Sequence, residues 1–215
     1  MNKSKANAAK AALSYLDDDM IIGVGTGTTV HYFIEALASI KQRIDACVAS
    51  SLQTEKHLRA LGIPVIDLNA ASAVAIYVDG ADEITKEREM IKGGGGALAR
   101  EKIIACSASQ FICIADESKL VSRLGAFPLA IEVLPMARGY VARELVKLGG
   151  NPVYREGFIT DNGNIILDVE AFDYTDAKAL EQTLKLITGV VENGIFAKRR
   201  ADVALIGAQE HVVTL

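Results

Sequence analysis

Met20-Ile-Ile-Gly-Val-Gly-Thr-Gly-Thr-Thr29 decides how the rest of the chain is read. Met20 to Val24 is a short, continuous apolar run that ends in a loop of glycine and threonine. Val30 to Ile40 then carries a helical pattern. An apolar strand feeding a helix through a tight loop is the repeating unit of a parallel sheet covered on both faces. The rhythm extends in both directions. Met1 to Asp18 is rich in alanine and expected to be helical. Downstream, strands are expected at Ala46 to Ala49, Pro64 to Asp67, Val74 to Val78 and Phe111 to Ile114. Helices fall between them at Leu52 to Leu61, stopped by Gly62 and Pro64, and at Ala97 to Ser107.

From Pro128 the pattern changes. Leu129 to Val133 reads as a strand, Arg138 to Leu148 as a helix, and Val153 to Thr160 and Ile165 to Val169 as a pair of strands. Asp161-Asn162-Gly163-Asn164 between the last two is a hairpin turn, expected to be type I′ because Asn-Gly supplies the positive φ angles. Asp176 to Ile187 is helical and Val190 to Ala197 a strand. Strand, helix, strand, strand, helix, strand is the split βαβ order of a ferredoxin-like subdomain. Ala201 to Ile206 is one more apolar strand, placed to rejoin the first sheet. The expected organisation is a Rossmann-like open α/β domain over 1–127 and 200–215, with a ferredoxin-like subdomain inserted at 128–199.

The 215 residues are half apolar, enough for a substantial core without disulfides or structural metals. The formal net charge is −4, and no basic stripe of the kind that binds nucleic acid is present. Lys198-Arg199-Arg200 reads as a solvated loop or an anchor for a small anion. Cys47, Cys106 and Cys113 are odd in number and lie in or beside apolar runs, which suits buried free thiols in a reducing compartment. His31, His57 and His211 are scattered, with no ligand spacing between any pair, so no metal site is expected. Residues 1–10 lack the apolar block of a signal peptide, and no run reaches the length of a membrane span. A cytoplasmic location, with no membrane partner, is the expectation.

Three segments stand at strand-to-loop or loop-to-helix junctions, where ligands bind in open α/β sheets. In Gly23-Val-Gly-Thr-Gly-Thr-Thr29, small residues allow close approach of backbone to a ligand, and the helix start offers N–H groups to an anion. Thr26, Thr28 and Thr29 add hydroxyls around Gly27. Thr28 stands where a dinucleotide fingerprint needs its third glycine, and the Lys-Ser/Thr ending of a P-loop is missing. A tight turn without a ligand fits the segment equally well. Asp79-Gly80-Ala81-Asp82-Glu83 concentrates three carboxylates in five residues at a strand end, which favours proton exchange near neutrality; an acidic surface turn is the plainer alternative. Lys92-Gly93-Gly94-Gly95-Gly96 precedes a helix, and its glycines can bring bare N–H groups to an oxyanion beside the lysine charge. Glu101, early in that helix, shares a side with Leu98 and Ala105 and so turns toward the sheet. Glutamate also favours helix starts for dipole reasons alone. Lys119, after the strand Phe111 to Ile114, is a fourth candidate.

Together these segments closely resemble ribose-5-phosphate isomerase of the A type. The resemblance rests on Gly-Val-Gly-Thr-Gly-Thr-Thr at 23–29, Tyr-Val-Asp-Gly-Ala-Asp-Glu at 77–83 and Ile-Lys-Gly-Gly-Gly at 91–95. Arg-Glu-Lys-Ile-Ile at 100–104, Phe-Ile-Cys-Ile-Ala-Asp at 111–116 with Lys119, and Thr-Asp-Asn-Gly-Asn at 160–164 extend it over the whole chain in order. Thr28 stands where serine is usual and Gly96 where alanine is often found. The resemblance implies an aldose-ketose isomerase that interconverts ribose 5-phosphate and ribulose 5-phosphate in the pentose phosphate pathway. It implies no cofactor and no metal, and a homodimer or homotetramer. It makes Glu101 the proton acceptor; enediolate chemistry would add Lys92 for the oxyanion and Asp79 and Asp82 for proton exchange with sugar hydroxyls as further catalytic groups. Thr26, Gly27, Thr28, Thr29, Asp79, Gly80, Ala81, Asp82, Lys92, Gly93, Gly94, Gly95 and Lys119 would bind the sugar phosphate. Competing readings are a sugar-phosphate sensor without turnover, a phosphosugar deaminase or a coenzyme A transferase; a nicotinamide dehydrogenase fails on the glycine spacing.

Overall fold

The computed structural model describes residues 2–215. In chain order it contains α1 (Lys3–Ala12), β1 (Met20–Val24), α2 (Thr28–Ala38), β2 (Ile44–Ala49), α3 (Leu52–Ala60), β3 (Val74–Asp79), β4 (Glu83–Ile84) and β5 (Met90–Ile91). There follow α4 (Leu98–Ser107), β6 (Ala108–Asp116), β7 (Leu129–Val133), α5 (Arg138–Lys147), β8 (Asn151–Tyr154) and β9 (Ile165–Glu170). The chain closes with α6 (Ala177–Lys185), β10 (Val190–Asn193), β11 (Ile195–Phe196), β12 (Val203–Gly207) and β13 (Val212–Thr214). No described helix is long and apolar enough to cross a membrane.

Two compact units result. The first comprises the chain up to Ala81, Arg100–Leu120 and Ala201–Leu215. Its sheet has the order β13-β12-β6-β3-β1-β2, parallel throughout except for β13. The two-residue period of each strand explains its layers. Ile76 and Val78 of β3 join Ile22, Val24, Ile112 and Ile114 in the core beneath Phe33 and Leu37 of α2. Tyr77 points the other way and packs on Phe111, ring centroids 5.0 Å apart. Alanines at 8, 9 and 12 make α1 thin enough to lie in the same core. From β1 the chain turns outward to β2 and then returns to the opposite side of β1 for β3. The sheet therefore has its topological switch point between β1 and β3, the place where open α/β sheets bind ligands.

The second unit comprises Asp82–Ala99 and Val121–Arg200. Its four-stranded sheet is antiparallel in the order β10-β7-β9-β8, with α5 and α6 as the connections from β7 to β8 and from β9 to β10. That is the ferredoxin-like order expected from the strand-helix pattern. Leu129, Ile131 and Val133 of β7 and Leu167 and Val169 of β9 meet Val141, Leu145 and Leu184 in its core. A second sheet, β11-β5-β4, belongs to the same unit.

Several local expectations change. Pro64 to Asp67 forms no strand, only a single parallel bridge from Val65 to Cys47. Val190 to Ala197 is two strands, because the chain leaves β7 at Gly194 and pairs Ile195 and Phe196 with β5 instead. That pairing carries 82–99 into the second unit, so the boundaries expected at 127 and 128 are replaced by a more interleaved division. Cys106 is exposed while Cys47 and Cys113 are buried, since helical spacing turns Cys106 away from the side shared by Glu101 and Ala105. Burial pushes the Cys47 thiol up to about 12, which leaves it an inert thiol.

The turn at 160–164 is also not type I′. Asn162 lies outside the positive-φ region, and Gly163 alone takes it, at φ +79. Gly163 N–H donates to Thr160 O (2.9 Å) and Thr160 N–H to Asn164 O (2.9 Å), giving a three-residue loop with glycine in the left-handed position. The loop is held from beneath by Glu132, fully buried in β7. Its Oε1 accepts from Thr160 Oγ1 (2.9 Å), Asn162 Nδ2 (3.0 Å) and Asn164 Nδ2 (2.8 Å). Glu132→Ala strips the acceptor from buried Thr160 and Asn164 and is expected to cost about 2 kcal/mol of unfolding free energy. A urea midpoint equal to that of the parent would show that the hub does not hold the loop.

Candidate active site

In the first unit, the switch point is built around Asp79, the last residue of β3 and fully buried. Its Oδ1 accepts from the N–H groups of Thr26 (3.1 Å) and Gly80 (2.7 Å), and its Oδ2 from the Tyr77 hydroxyl. Hydrogen bonds of this kind offset the desolvation of a buried carboxylate. Burial, and then the charges of Asp79 and Glu101, hold the Tyr77 hydroxyl well above the usual phenol range. Tyr77 therefore stays a phenol and a donor. Glu101 occupies the first turn of α4 and is 4 % exposed. The helical spacing that turned it inward in the sequence is realised, and its charge is close enough to act on Tyr77.

The Gly/Thr loop is tied to this group. Thr26 Oγ1 lies 2.7 Å from Ser50 Oγ and donates to Ser51 Oγ (2.8 Å), while Thr54 Oγ1 donates to Gly25 O (2.7 Å). The Thr26 hydroxyl thus braces the loop. Gly25 has to be glycine because a Cβ there would lie 1.9 Å from Asp79 Oδ1. Beyond it, α2 starts at Thr28 with Gly27 at its N-cap and no capping side chain. Its first N–H groups are the orphan donors that bind anions at helix starts. Lys5 of α1 places its ammonium on Thr28 Oγ1 (2.8 Å) and 3.9 Å from Asp116. Lys119, at the end of a 3-10 turn over Glu117–Lys119, is half-buried and makes no hydrogen bond or ion pair among the described residues.

In the second unit, Asp82 opens the chain to β4, and its Oδ2 accepts from Gly94 N–H (2.8 Å). Glu83, its neighbour, turns away to accept from the N–H groups of Gly125 (2.7 Å) and Phe127 (2.6 Å). The three-carboxylate cluster expected from the sequence is thus reduced, because Glu83 serves the fold. Lys92 follows β5, is 3 % exposed, and sets its ammonium 5.5 Å from the centre of the Phe196 ring. Gly93 and Gly96 sit at φ +113 and +78, conformations that side chains resist. Asp82 takes the Gly94 N–H and Gly93 O takes the Gly96 N–H (3.0 Å), so the run offers fewer bare donors than its glycines suggest. Gly95 N–H makes no hydrogen bond among the described residues. Arg155 clamps the run from β8's end: its guanidinium reaches Gly93 O and Gly94 O (3.3 Å each) and pairs with Asp168 at 2.8 and 2.5 Å.

The family model for ribose 5-phosphate isomerase A (phosphoriboisomerase A) matches residues 46–211. The chain belongs to this family. Ribose-5-phosphate isomerase A of Legionella pneumophila (strain Lens) is 63% identical over 215 residues, all of both chains. The crystal structure of ribose 5-phosphate isomerase A from Neisseria gonorrhoeae superposes with a TM-score of 0.96 at 44% identity, covering 98% of this chain and 95% of that one. A D-ribose-5-phosphate isomerase in complex with phospho-erythronic acid gives 0.95 at 40% identity, covering 100% and 99%. The phosphoriboisomerase resemblance drawn from the motifs is therefore correct, and with it the Rossmann-like sheet and ferredoxin-like unit.

Three participants at these phosphoriboisomerase segments escaped the sequence reading. Lys5 lies in an alanine-rich helix that looks featureless, far along the chain from Thr28. Tyr77 reads as one more apolar strand residue until its hydroxyl is seen on Asp79. Arg155 sits in a polar connection beside other charges, with nothing local to link it to Gly93 and Gly94.

Proposed function

We propose that the chain interconverts D-ribose 5-phosphate and D-ribulose 5-phosphate through an enediolate, as an aldose-ketose isomerase of the non-oxidative pentose phosphate pathway. The observation that carries this reading is a carboxylate, Glu101, buried in the first turn of α4 and coupled to the Asp79–Tyr77 pair. Moving a carbonyl from C1 to C2 requires a base that takes a weakly acidic proton from one carbon and returns it to the other. Glu101 is that base, and the helix N-terminus favours its charge. Lys92 and the N–H of Gly95 stabilise the oxyanion that develops meanwhile. Asp79 and Asp82 exchange protons with sugar hydroxyls, and one of them opens the furanose, which has no free carbonyl.

Gly27, Thr28 and Thr29 at the uncapped start of α2, with Lys5 and Lys119, take the phosphate. Thr26 and Gly80 hold Asp79, and Ala81 and Gly93 keep their segments narrow enough for the sugar. The resemblance to phosphoriboisomerases carries a cytoplasmic location and assembly as a homodimer or homotetramer. Exposed apolar side chains at Leu134, Met136 and Leu186 give the second unit a surface suited to a second copy. The decisive assay follows ketose formation from ribose 5-phosphate in EDTA with no added cofactor. Ketose should form at the same rate with and without the chelator. Binding without turnover would leave a sensor, and ammonia release from an amino sugar phosphate would leave a deaminase.

A further inference from the structure

The sequence leaves the histidines apart, yet two of them meet in the first unit. His31 and Glu35 lie one turn apart on α2, so they share a face. His57 of α3 comes up against that face: its ring stacks on His31 with centroids 4.6 Å apart and planes 20° from parallel. His57 Nε2 lies 2.8 Å from Glu35 Oε1. One ligand atom from each of the three falls within 4.8 Å of the others. The two histidines line an open cleft of ≈ 640 Å³ that also takes in Thr26, Gly27 and Thr28, and Glu35 stands beside them at its edge through its contact with His57.

We propose that His31, Glu35 and His57 form a binding site for a divalent transition metal, with Zn²⁺ the best fit. Two imidazoles and one carboxylate are a borderline-soft donor set that suits zinc, cobalt, nickel and copper and disfavours magnesium and calcium. Zinc bonds to such ligands at about 2.0–2.1 Å, which puts two tetrahedral ligand atoms roughly 3.3 Å apart. The present spread closes to that value through side-chain rotations alone, because His31 and Glu35 are exposed and their rings and carboxylate are not locked in the core. The ion would replace the His57–Glu35 hydrogen bond, tie α2 to α3, and keep a coordination position open to the cleft for water or an anionic oxygen. The site is independent of the isomerase reading, since none of its three ligands belongs to the proposed proton-transfer machinery.

The test titrates the full chain, stripped with EDTA and desalted, with Co²⁺ while following its visible absorption, and then displaces the cobalt with Zn²⁺. One equivalent per chain should bind, with the intense d–d bands of a four- or five-coordinate site. His31→Ala and His57→Ala should each weaken binding by at least about tenfold, while circular dichroism of both variants stays that of the parent. His211→Ala and Cys106→Ser should bind as the parent does. Failure to bind a stoichiometric ion, binding unchanged in both His31→Ala and His57→Ala, or binding lost in Cys106→Ser would each overturn the assignment.

Discussion

Glu101→Gln is expected to lower turnover by about 10²–10⁴-fold, equivalent to about 3–5 kcal/mol of barrier, while the protein stays folded. The substitution keeps the shape of a side chain that is 4 % exposed and removes only its ability to take a proton. Ile104 and Ala105, the neighbours that bury the helix, are unaltered. The loss should therefore fall on kcat, and the thermal midpoint should change little. Progress curves with ribose 5-phosphate, beside a melting curve, separate the two. Parental turnover in the variant would mean that another group moves the proton.

Gly25→Ala should be nearly as damaging, for a different reason. The added Cβ would lie 1.9 Å from Asp79 Oδ1 and 2.0 Å from its Cγ. Asp79 cannot swing aside cheaply, because Thr26 N–H, Gly80 N–H and the Tyr77 hydroxyl hold it in a fully buried position. Either the loop or the carboxylate must shift. Overpacking of this kind costs about 1–3 kcal/mol of stability, and a displacement near 1 Å at reacting groups costs on the order of 10²-fold in rate. Gly139→Ala, in α5, is the matched control: its Cβ meets nothing nearer than Arg143 Nη1 at 3.6 Å, and φ there is ordinary. It should leave both stability and rate close to those of the parent. A Gly25→Ala variant with the rate of the parent would show that the approach of loop to carboxylate does not matter.

The long elements were legible because each carries many repeats of its own period. Met20–Val24 and Leu129–Val133 fall where the apolar runs place them. Apart from α1, which ends at Ala12 where the expectation ran to Asp18, the helices differ from expectation by a turn or less at their ends, where capping rather than periodicity decides. The two-residue strands β4, β5 and β11 could not be seen, since two residues hold no period. β4 pairs with β5 close by in the chain, while β11 reaches β5 from more than a hundred positions away. The same holds at the site. The inward turn of Glu101 was legible because a helix repeats its facing residues within a few positions. Lys5 with Thr28, Arg155 with Gly93, and His31 with His57 were missed because only the tertiary fold makes them neighbours.

The parallel pairing of β6 with β12 bears on how the molecule is made. Everything from Glu117 to Asp202 must leave the ribosome before Val203 can lie down beside Ile112. A nascent chain that stalls in between exposes one apolar edge of β6 to whatever it meets. Such distant closure slows folding, so chaperone dependence and aggregation during synthesis should concentrate in that interval, and rare-codon pauses there would do more harm than pauses within the first eighty residues or so.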